Sequence, residues 1–364
     1  MTAPGPERLR IALTLGTSVG GIGVFVHDLA AEFAGRGHDV LVAGPQQTQD
    51  HFAFTATGAA FRPVRIAAAP HPVRDPIALR DLRRALTGYQ IAHAHGVRAG
   101  ALTGLALTGR PTGRVVTLHN AMLASGPKAV LLTGLERLAV RRNAIVLGAS
   151  QDLVERARRL GARAARLGPV PAPPASPQRD RAQVRAELGL DDATRLVLAV
   201  GRLAPQKDYP SLLEAAASFG GARVTIAGDG PLRAELQARI DADGLNAVLL
   251  GHRSDVADLM AAADVFVLCS RWEARALVVQ EAMRAGLPVV ATAVGGTPEL
   301  AGGAALLVPP GDPAALAQAV KQVLADPAEH ARLRAAGVAR AGALAGLPEV
   351  VDELCEIYAA LVRR

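Results

Sequence analysis

Short apolar runs, each followed by a turn and then by a stretch with helical spacing, recur along the whole chain. The first run, 9–15, is apolar throughout and reads as a strand buried on both faces. A glycine-rich turn follows at 16–23. In 24–35, Phe25, Leu29 and Phe33 then fall on one helical face, and the segment ends at Gly35 and Gly37. Further strands are predicted at 40–43, 91–94, 115–118 and 145–149, with helices between them. The segment 167–177 is too rich in proline for a regular helix or an inner strand. Alternation then restarts. Strands are predicted at 196–200, 223–227, 248–250, 265–268, 288–291 and 306–308. Helices are predicted at 209–219, 231–242, 255–262, 277–285, 298–301 and 313–324, and from there to the end. Strand–helix alternation on this scale implies an α/β protein with parallel sheets covered on both faces.

A chain of 364 residues is long for one hydrophobic core, which agrees with two domains joined at the proline-rich segment. The expected division is an N-terminal Rossmann-like domain (1–168), a linker (169–178), a C-terminal Rossmann-like domain (179–347) and a final helix (348–364). A ligand cleft is expected between the domains.

Charge divides unevenly. Residues 1–168 carry 21 Lys/Arg against 10 Asp/Glu, and residues 169–364 carry 19 against 23. A basic first half suits either an ordinary soluble surface or an anionic partner. Its Arg137, Arg141, Arg142, Arg156, Arg158 and Arg159 suggest peripheral contact with an anionic membrane. Aromatic residues are only 3% of the chain, which argues against nucleic acid as a partner, since single strands need stacking platforms. Cys269 and Cys355 stand far apart with no metal-ligand spacing, so no metal and no disulfide are expected and a cytoplasmic setting fits. No apolar run is long enough to span a bilayer. Arg8 and Arg10 precede an apolar stretch, but glycines interrupt it too soon for a signal peptide.

The candidate chemistry lies at strand ends. Glu273 follows the strand at 265–268, and Glu281 lies just over a turn inside the next helix. That helix begins near Ala276 and Leu277, where free N–H groups suit a diphosphate. Arg202 and Lys207 flank a strand-to-helix loop that opens at Gly201, so two cations can converge on one diphosphate. Only three lysines occur in the chain (Lys128, Lys207 and Lys321), which makes one at such a position notable. Gly20, Gly21 and Gly23 allow a backbone to approach a sugar or phosphate, although Val26 stands where a dinucleotide fingerprint requires glycine. His93, His95 and His119 end two strands and could bond sugar hydroxyls or backbone carbonyls. Gly16, Ser18 and Gly20 match a hydrolase nucleophile elbow, but after the first strand of the chain, where such an elbow does not belong. Asp241 and Asp243 close an amphipathic helix and read as a solvated helix end.

Taken together, the motifs at 200–207, 224–232, 250–256, 263–267, 273–283, 286–292, 295–299 and 307–311 resemble glycosyltransferase family 4. Looser matches at 20–21, 36–40, 93–96 and 116–119 extend the resemblance over nearly the whole chain. It implies a GT-B fold, with an acceptor-binding first domain, a nucleotide-sugar-binding second domain and the final helix returning to the first. It also implies a retaining, metal-independent transfer from a nucleotide-diphosphate sugar to an acceptor that the sequence does not name, with no cofactor. It assigns Arg202 and Lys207 to the diphosphate, Glu281 to the ribose and Glu273 to the transferred sugar. Gly251 to Arg253 would meet the nucleobase, Gly20 and Gly21 would border the donor phosphate, and His119 would border the sugar. Ala274, Arg275 and Ala276 replace the Gly-Phe-Gly-like run of many members, so Arg275 is expected to reshape the sugar pocket. The alternatives are an epimerase or phosphorylase on the same fold, or a non-catalytic sugar-nucleotide-binding protein.

Overall fold

The computed structural model describes residues 8–18, 20–67, 69–120 and 127–363, with Pro127 and Lys128 described by backbone alone. Val19 and the Lys128 side chain lie outside the described residues. The chain forms two compact units, 1–171 with 345–364, and 172–344.

The first unit is built on seven parallel strands: β1 (Arg10–Leu15), β2 (Asp39–Gly44), β3 (Ala60–Pro63), β4 (Ile91–His95), β5 (Gly113–Leu118), β6 (Ile145–Gly148) and β7 (Ala165–Leu167). Their order is β3-β2-β1-β4-β5-β6-β7. Helices α1 (Gly21–Gly35), α2 (Gln46–Phe52), α3 (Arg74–Ala85), α4 (Val97–Ala106), α5 (Pro127–Arg142) and α6 (Gln151–Arg159) connect them. The central strands are buried along nearly their whole length, as apolar runs between two helical layers must be.

The second unit has six parallel strands: β8 (Leu196–Val200), β9 (Arg223–Ala227), β10 (Ala247–Gly251), β11 (Val265–Leu268), β12 (Val289–Thr292) and β13 (Leu306–Val308). Their order is β10-β9-β8-β11-β12-β13. Its helices are α7 (Arg181–Glu187), α8 (Tyr209–Ala216), α9 (Arg233–Ala242), α10 (Val256–Ala262), α11 (Leu277–Arg284), α12 (Thr297–Ala301), α13 (Pro313–Ala325) and α14 (Pro327–Ala343). The break between α13 and α14 is set by Asp326, whose carboxylate accepts from the N–H groups of Ala328 (2.9 Å) and Glu329 (3.1 Å). The last helix, α15 (Leu347–Val362), belongs to the first unit. Its Tyr358 hydroxyl lies 2.6 Å from His93 Nδ1, and Arg36 pairs with its Asp352.

The proline-rich segment has no regular structure between β7 and α7. Its early residues are held by α11. Arg284 donates to the carbonyl of Pro173 at 2.8 Å, and Gln280 Oε1 accepts from the N–H of Ala172 at 3.3 Å. Further on, Asp258 of α10 accepts from the N–H of Gln178 at 2.6 Å.

Two strands escaped the hydrophobic pattern. Both β3 and β7 are short edge strands in which no residue is fully buried, so neither shows an apolar run. Among the described residues no helix is long and apolar enough to cross a membrane.

Candidate active site

In each sheet the winding reverses beside its first strand, between β1 and β4 and between β8 and β11. Loops leaving the carboxyl ends of the two strands at such a point diverge and leave a crevice, the usual ligand position in open α/β sheets. Arg202 and Lys207 follow β8, and Glu273 follows β11.

Lys207 ends a short 3-10 turn, Pro205–Lys207. Asp208 then turns the chain into α8 with φ +52°, a left-handed conformation that aspartate tolerates better than most residues. The Asp208 carboxylate accepts from Ser211 Oγ at 3.0 Å and from Arg271 at 3.2 Å. The Cys269 thiol donates to the Lys207 carbonyl at 3.1 Å. Burial pushes that thiol up to about 12, so it remains protonated and able to donate.

Held in this way, Lys207 Nζ lies 2.6 Å from Glu273 Oε1. Ser270 Oγ donates to the same oxygen at 2.6 Å, and Thr292 Oγ1 donates to the Ser270 carbonyl at 2.6 Å. Glu273 is 7% exposed, and a carboxylate so enclosed needs such partners. Its Oε2 accepts no hydrogen bond from the described residues.

Glycines set the backbone of this site. Gly295 has φ +49°, and a β-carbon there would lie 1.9 Å from the Glu273 carbonyl oxygen. A β-carbon on Gly228 would lie 1.9 Å from the Gly201 carbonyl oxygen, and one on Gly230 would lie 2.4 Å from that of Leu203. These close approaches let Gly201 N–H donate to Ala227 (3.0 Å) and Leu203 N–H to Asp229 (2.9 Å), which fixes the loop carrying Arg202. Arg202 itself is exposed and pairs with no described residue.

The expected nucleobase and ribose residues separate. The Arg253 guanidinium is occupied, with Asp255 at 2.7 Å and Glu187 at 2.9 Å. It therefore does not offer a free side chain to a base; what remains is the backbone from Gly251, where φ is +75°. Ala276 caps α11 with no side-chain hydrogen bond to the first turn, which begins at Leu277. Glu281 lines a cavity of about 740 Å³ with Ser254, Asp255, Ala257 and Arg284. No described residue donates to its carboxylate. Burial raises its pKa, partly offset by Arg284. Arg275 is folded into the protein, with Nε buried and unpartnered. Burial lowers its pKa, the charge of Glu299 opposes this, and Arg340 adds to it.

In the first unit, Gly20 caps α1, and Ser18 Oγ accepts from the N–H of Gly23 at 3.2 Å. Gly20 and Gly21 are exposed at this helix start. Gly23 serves packing instead, because a β-carbon there would lie 2.0 Å from the Phe52 ring. The histidines form a cluster. His93 bonds Tyr358 (2.6 Å) and Thr117 (2.7 Å), and His95 Nδ1 lies 3.2 Å from His119 Nε2. Phe25 packs edge-on against both His95 and His119. His93 is fully enclosed and thus directs nothing toward a sugar, whereas His119 at the carboxyl end of β5 retains 8% exposure. His95 Nε2 is buried without a partner. Ser270, Thr292, Gly228, Gly230 and Gly295 were not singled out individually from sequence, and Cys269 was read only as a free thiol. Their signal was present in the motifs at 224–232, 286–292 and 295–299 and in the residues before Glu273.

Among the described residues no group of three or more His, Cys, Asp or Glu side chains is placed to hold a metal ion. Two parallel sheets wound in this order, with charged loops at the reversal point of the second, give the GT-B architecture. The family model for glycosyl transferases group 1 matches residues 180–340, and that for a glycosyl transferase 4-like domain matches residues 20–173. The chain is 31% identical over 307 residues to an alpha-D-kanosaminyltransferase of Streptomyces kanamyceticus, covering 77% of this chain and 79% of that one. It is 30% identical to a D-inositol 3-phosphate glycosyltransferase of Catenulispora acidiphila, covering 94% and 91%. The structure of HepE from Anabaena in complex with UDP-glucose superposes with a TM-score of 0.81 at 23% identity, covering 96% of this chain and 99% of that one. The chain belongs to the group 1, family 4-like glycosyltransferases.

The histidine cluster generates a pH prediction. Burial lowers His93 to about 3, with the charge of His119 adding to the effect. Burial lowers His119 to about 4 and holds His95 well below its ordinary 6.5, His93 and His119 adding to the His95 shift. These rings stay neutral in the folded chain but protonate in the unfolded chain below about pH 6.5. Stability is therefore full above that pH and falls as the pH drops toward about 4, by about 1.4 kcal/mol per pH unit for each ring. Thermal melts at pH 7.5, 6 and 5 are expected to show a steadily falling midpoint. An unchanged midpoint at pH 5 contradicts the neutral cluster.

Proposed function

We propose that the chain transfers a sugar from a nucleoside-diphosphate sugar to an acceptor hydroxyl with retention of anomeric configuration. The observation that supports this most is the Lys207–Glu273 pair, 2.6 Å apart at the reversal point of the second sheet. An ammonium has three donors, and Glu273 takes one, which leaves Lys207 able to serve a phosphate as well. Arg202 adds a planar fork from the same loop. Together they stabilise charge on the departing diphosphate. The N–H of Ala276 at the start of α11, and those at Gly20 and Gly21, add backbone donors to phosphate oxygens, whereas the Leu277 N–H is already spent on the Arg275 carbonyl at 3.0 Å.

Glu281 accepts from the ribose hydroxyls, and the Gly251–Arg253 backbone meets the base. Glu273 Oε2 and His119 hold hydroxyls of the transferred sugar. In the reaction the bond from the anomeric carbon to the leaving phosphate oxygen breaks. The acceptor oxygen bonds the same face of that carbon, and its proton passes to the leaving phosphate. This front-side route suits a site whose enclosed carboxylate is occupied by Lys207 and Ser270 rather than poised as a nucleophile. No metal or cofactor is required in this scheme. The HepE structure holds UDP-glucose, which supports a nucleotide-sugar donor. Free Cys269 and Cys355 suit a reducing cytoplasm.

Proton NMR of the first-formed product is expected to show the donor's own anomer. Glu281→Ala is expected to lower kcat/KM at least about a hundredfold while the melting midpoint is retained. Inverted product, or full activity in the variant, overturns this assignment.

The acceptor side is proposed to work against an anionic membrane surface. Val130 and Leu131 on α5 are 76% and 60% exposed, and Arg137 and Arg159 are exposed nearby in sequence on α5 and α6. Arg156 drops out of this basic face, because it pairs with buried Glu136 through two bonds of 2.7 Å. Co-sedimentation with anionic vesicles at low salt is expected, with loss of binding in Val130→Ser/Leu131→Ser. Equal binding to neutral vesicles, or none to either, contradicts this.

A further inference from the structure

A second cavity, of about 520 Å³, opens at the carboxyl ends of β1, β2 and β3. Thr17, Gln46, Gln47, Arg65 and Arg74 supply its polar lining, and no Asp or Glu lines it. Arg65 and Arg74 are exposed, and neither guanidinium pairs with a described residue. Arg98, beside the same segment, spends its charge on Asp75 at 2.6 Å and donates from Nε to the Ala67 carbonyl at 3.1 Å. Asp75 also accepts from the N–H of His71 at 3.1 Å. These bonds fix both ends of the segment between β3 and α3. Val64 and Ile66, at 2% and 0% exposure, anchor it on either side of Arg65. The two uncompensated cations are thus carried on tethered backbone.

We infer that this cavity is the acceptor subsite and that the acceptor is a hydroxyl compound bearing a phosphomonoester, read by Arg65 and Arg74. Two guanidinium groups with no carboxylate among the lining residues place two positive charges in one cavity. A phosphomonoester carries about −1.5 to −2 near pH 7 and offers three acceptor oxygens, so it balances them better than a monoanionic carboxylate. Arginine forks match phosphate geometry, and Gln46, Gln47 and Thr17 can take the remaining oxygens and hydroxyls. Thr17 is three residues from Gly20, so at most about 11 Å of backbone separates this subsite from the α1 start. A small phosphorylated polyol spans that distance with a hydroxyl to present for transfer. This inference rests on the proposed donor reading for its geometry of transfer. Its charge recognition stands on the cavity alone.

The test begins with calorimetry on the full chain. It uses glycerol 3-phosphate and an inositol monophosphate as soluble probes, with neutral inositol and glucuronate as contrasts, and vesicles containing phosphatidic acid as the lipid-borne phosphomonoester. Binding of a soluble phosphomonoester, weakened at least about tenfold in Arg65→Ser/Arg74→Ser and partly restored in Arg65→Lys/Arg74→Lys, supports the inference. Its dissociation constant is also expected to rise with salt. Equal binding of neutral inositol, or binding unaffected by the double substitution, overturns it. Binding confined to the vesicles replaces the small-molecule acceptor with a lipid surface and overturns it too. Titration of the same preparation with a nucleoside diphosphate reports separately on the donor reading. Donor binding without phosphomonoester recognition defeats only the inference, and the reverse defeats only the donor reading.

Discussion

A buried carboxylate must be compensated, and in this chain Lys207 and Ser270 compensate Glu273 on a single oxygen. Removing one partner of such a pair typically costs about 3–5 kcal/mol, because the other charge is left stranded. The loops after β8 and β11 therefore hold each other in register. Gln206 strengthens the same contact, donating to the Trp272 carbonyl at 2.7 Å and accepting from the N–H of Arg271 at 2.8 Å. The pair leaves each residue with unused capacity: two ammonium donors on Lys207 and the second oxygen of Glu273. A bound diphosphate and sugar can be added to this arrangement without dismantling it.

The supports around the pair are mostly backbone. Gly228, Gly230 and Gly295 occur where another chain segment passes closer than a β-carbon permits. Cys269, protonated by virtue of its burial, ties the Lys207 carbonyl down. In the first unit the same economy appears in different chemistry. His119 is held by His95, and the neighbouring His93 is bonded to α15. Polar residues at strand ends thus serve first to hold one another.

The inner strands were legible because burial on both faces writes a continuous apolar run. The edge strands β3 and β7 were not, since exposure on an edge erases that run. The positions of Arg202, Lys207 and Glu273 in the loops after β8 and β11, and of Glu281 inside α11, were legible, because spacing relative to strand ends survives in the linear sequence. What sequence could not show was pairing across loops. Nothing in the order of residues says that Arg253 meets Asp255 and Glu187, that His93 turns inward to Tyr358, or that Gly23 accommodates Phe52. Arg65 and Arg74 were equally hidden, because their lack of partners is a property of space rather than of order.

Under the proposed function, Lys207 is the cation shared between Glu273 and a diphosphate. Calorimetric titration of the full chain and of its Lys207→Met variant with nucleoside diphosphates tests this most directly. One-to-one binding in the native chain, weakened at least about a hundredfold in the variant at a temperature where both remain folded, is the predicted result. Binding of equal strength in the two proteins would contradict it.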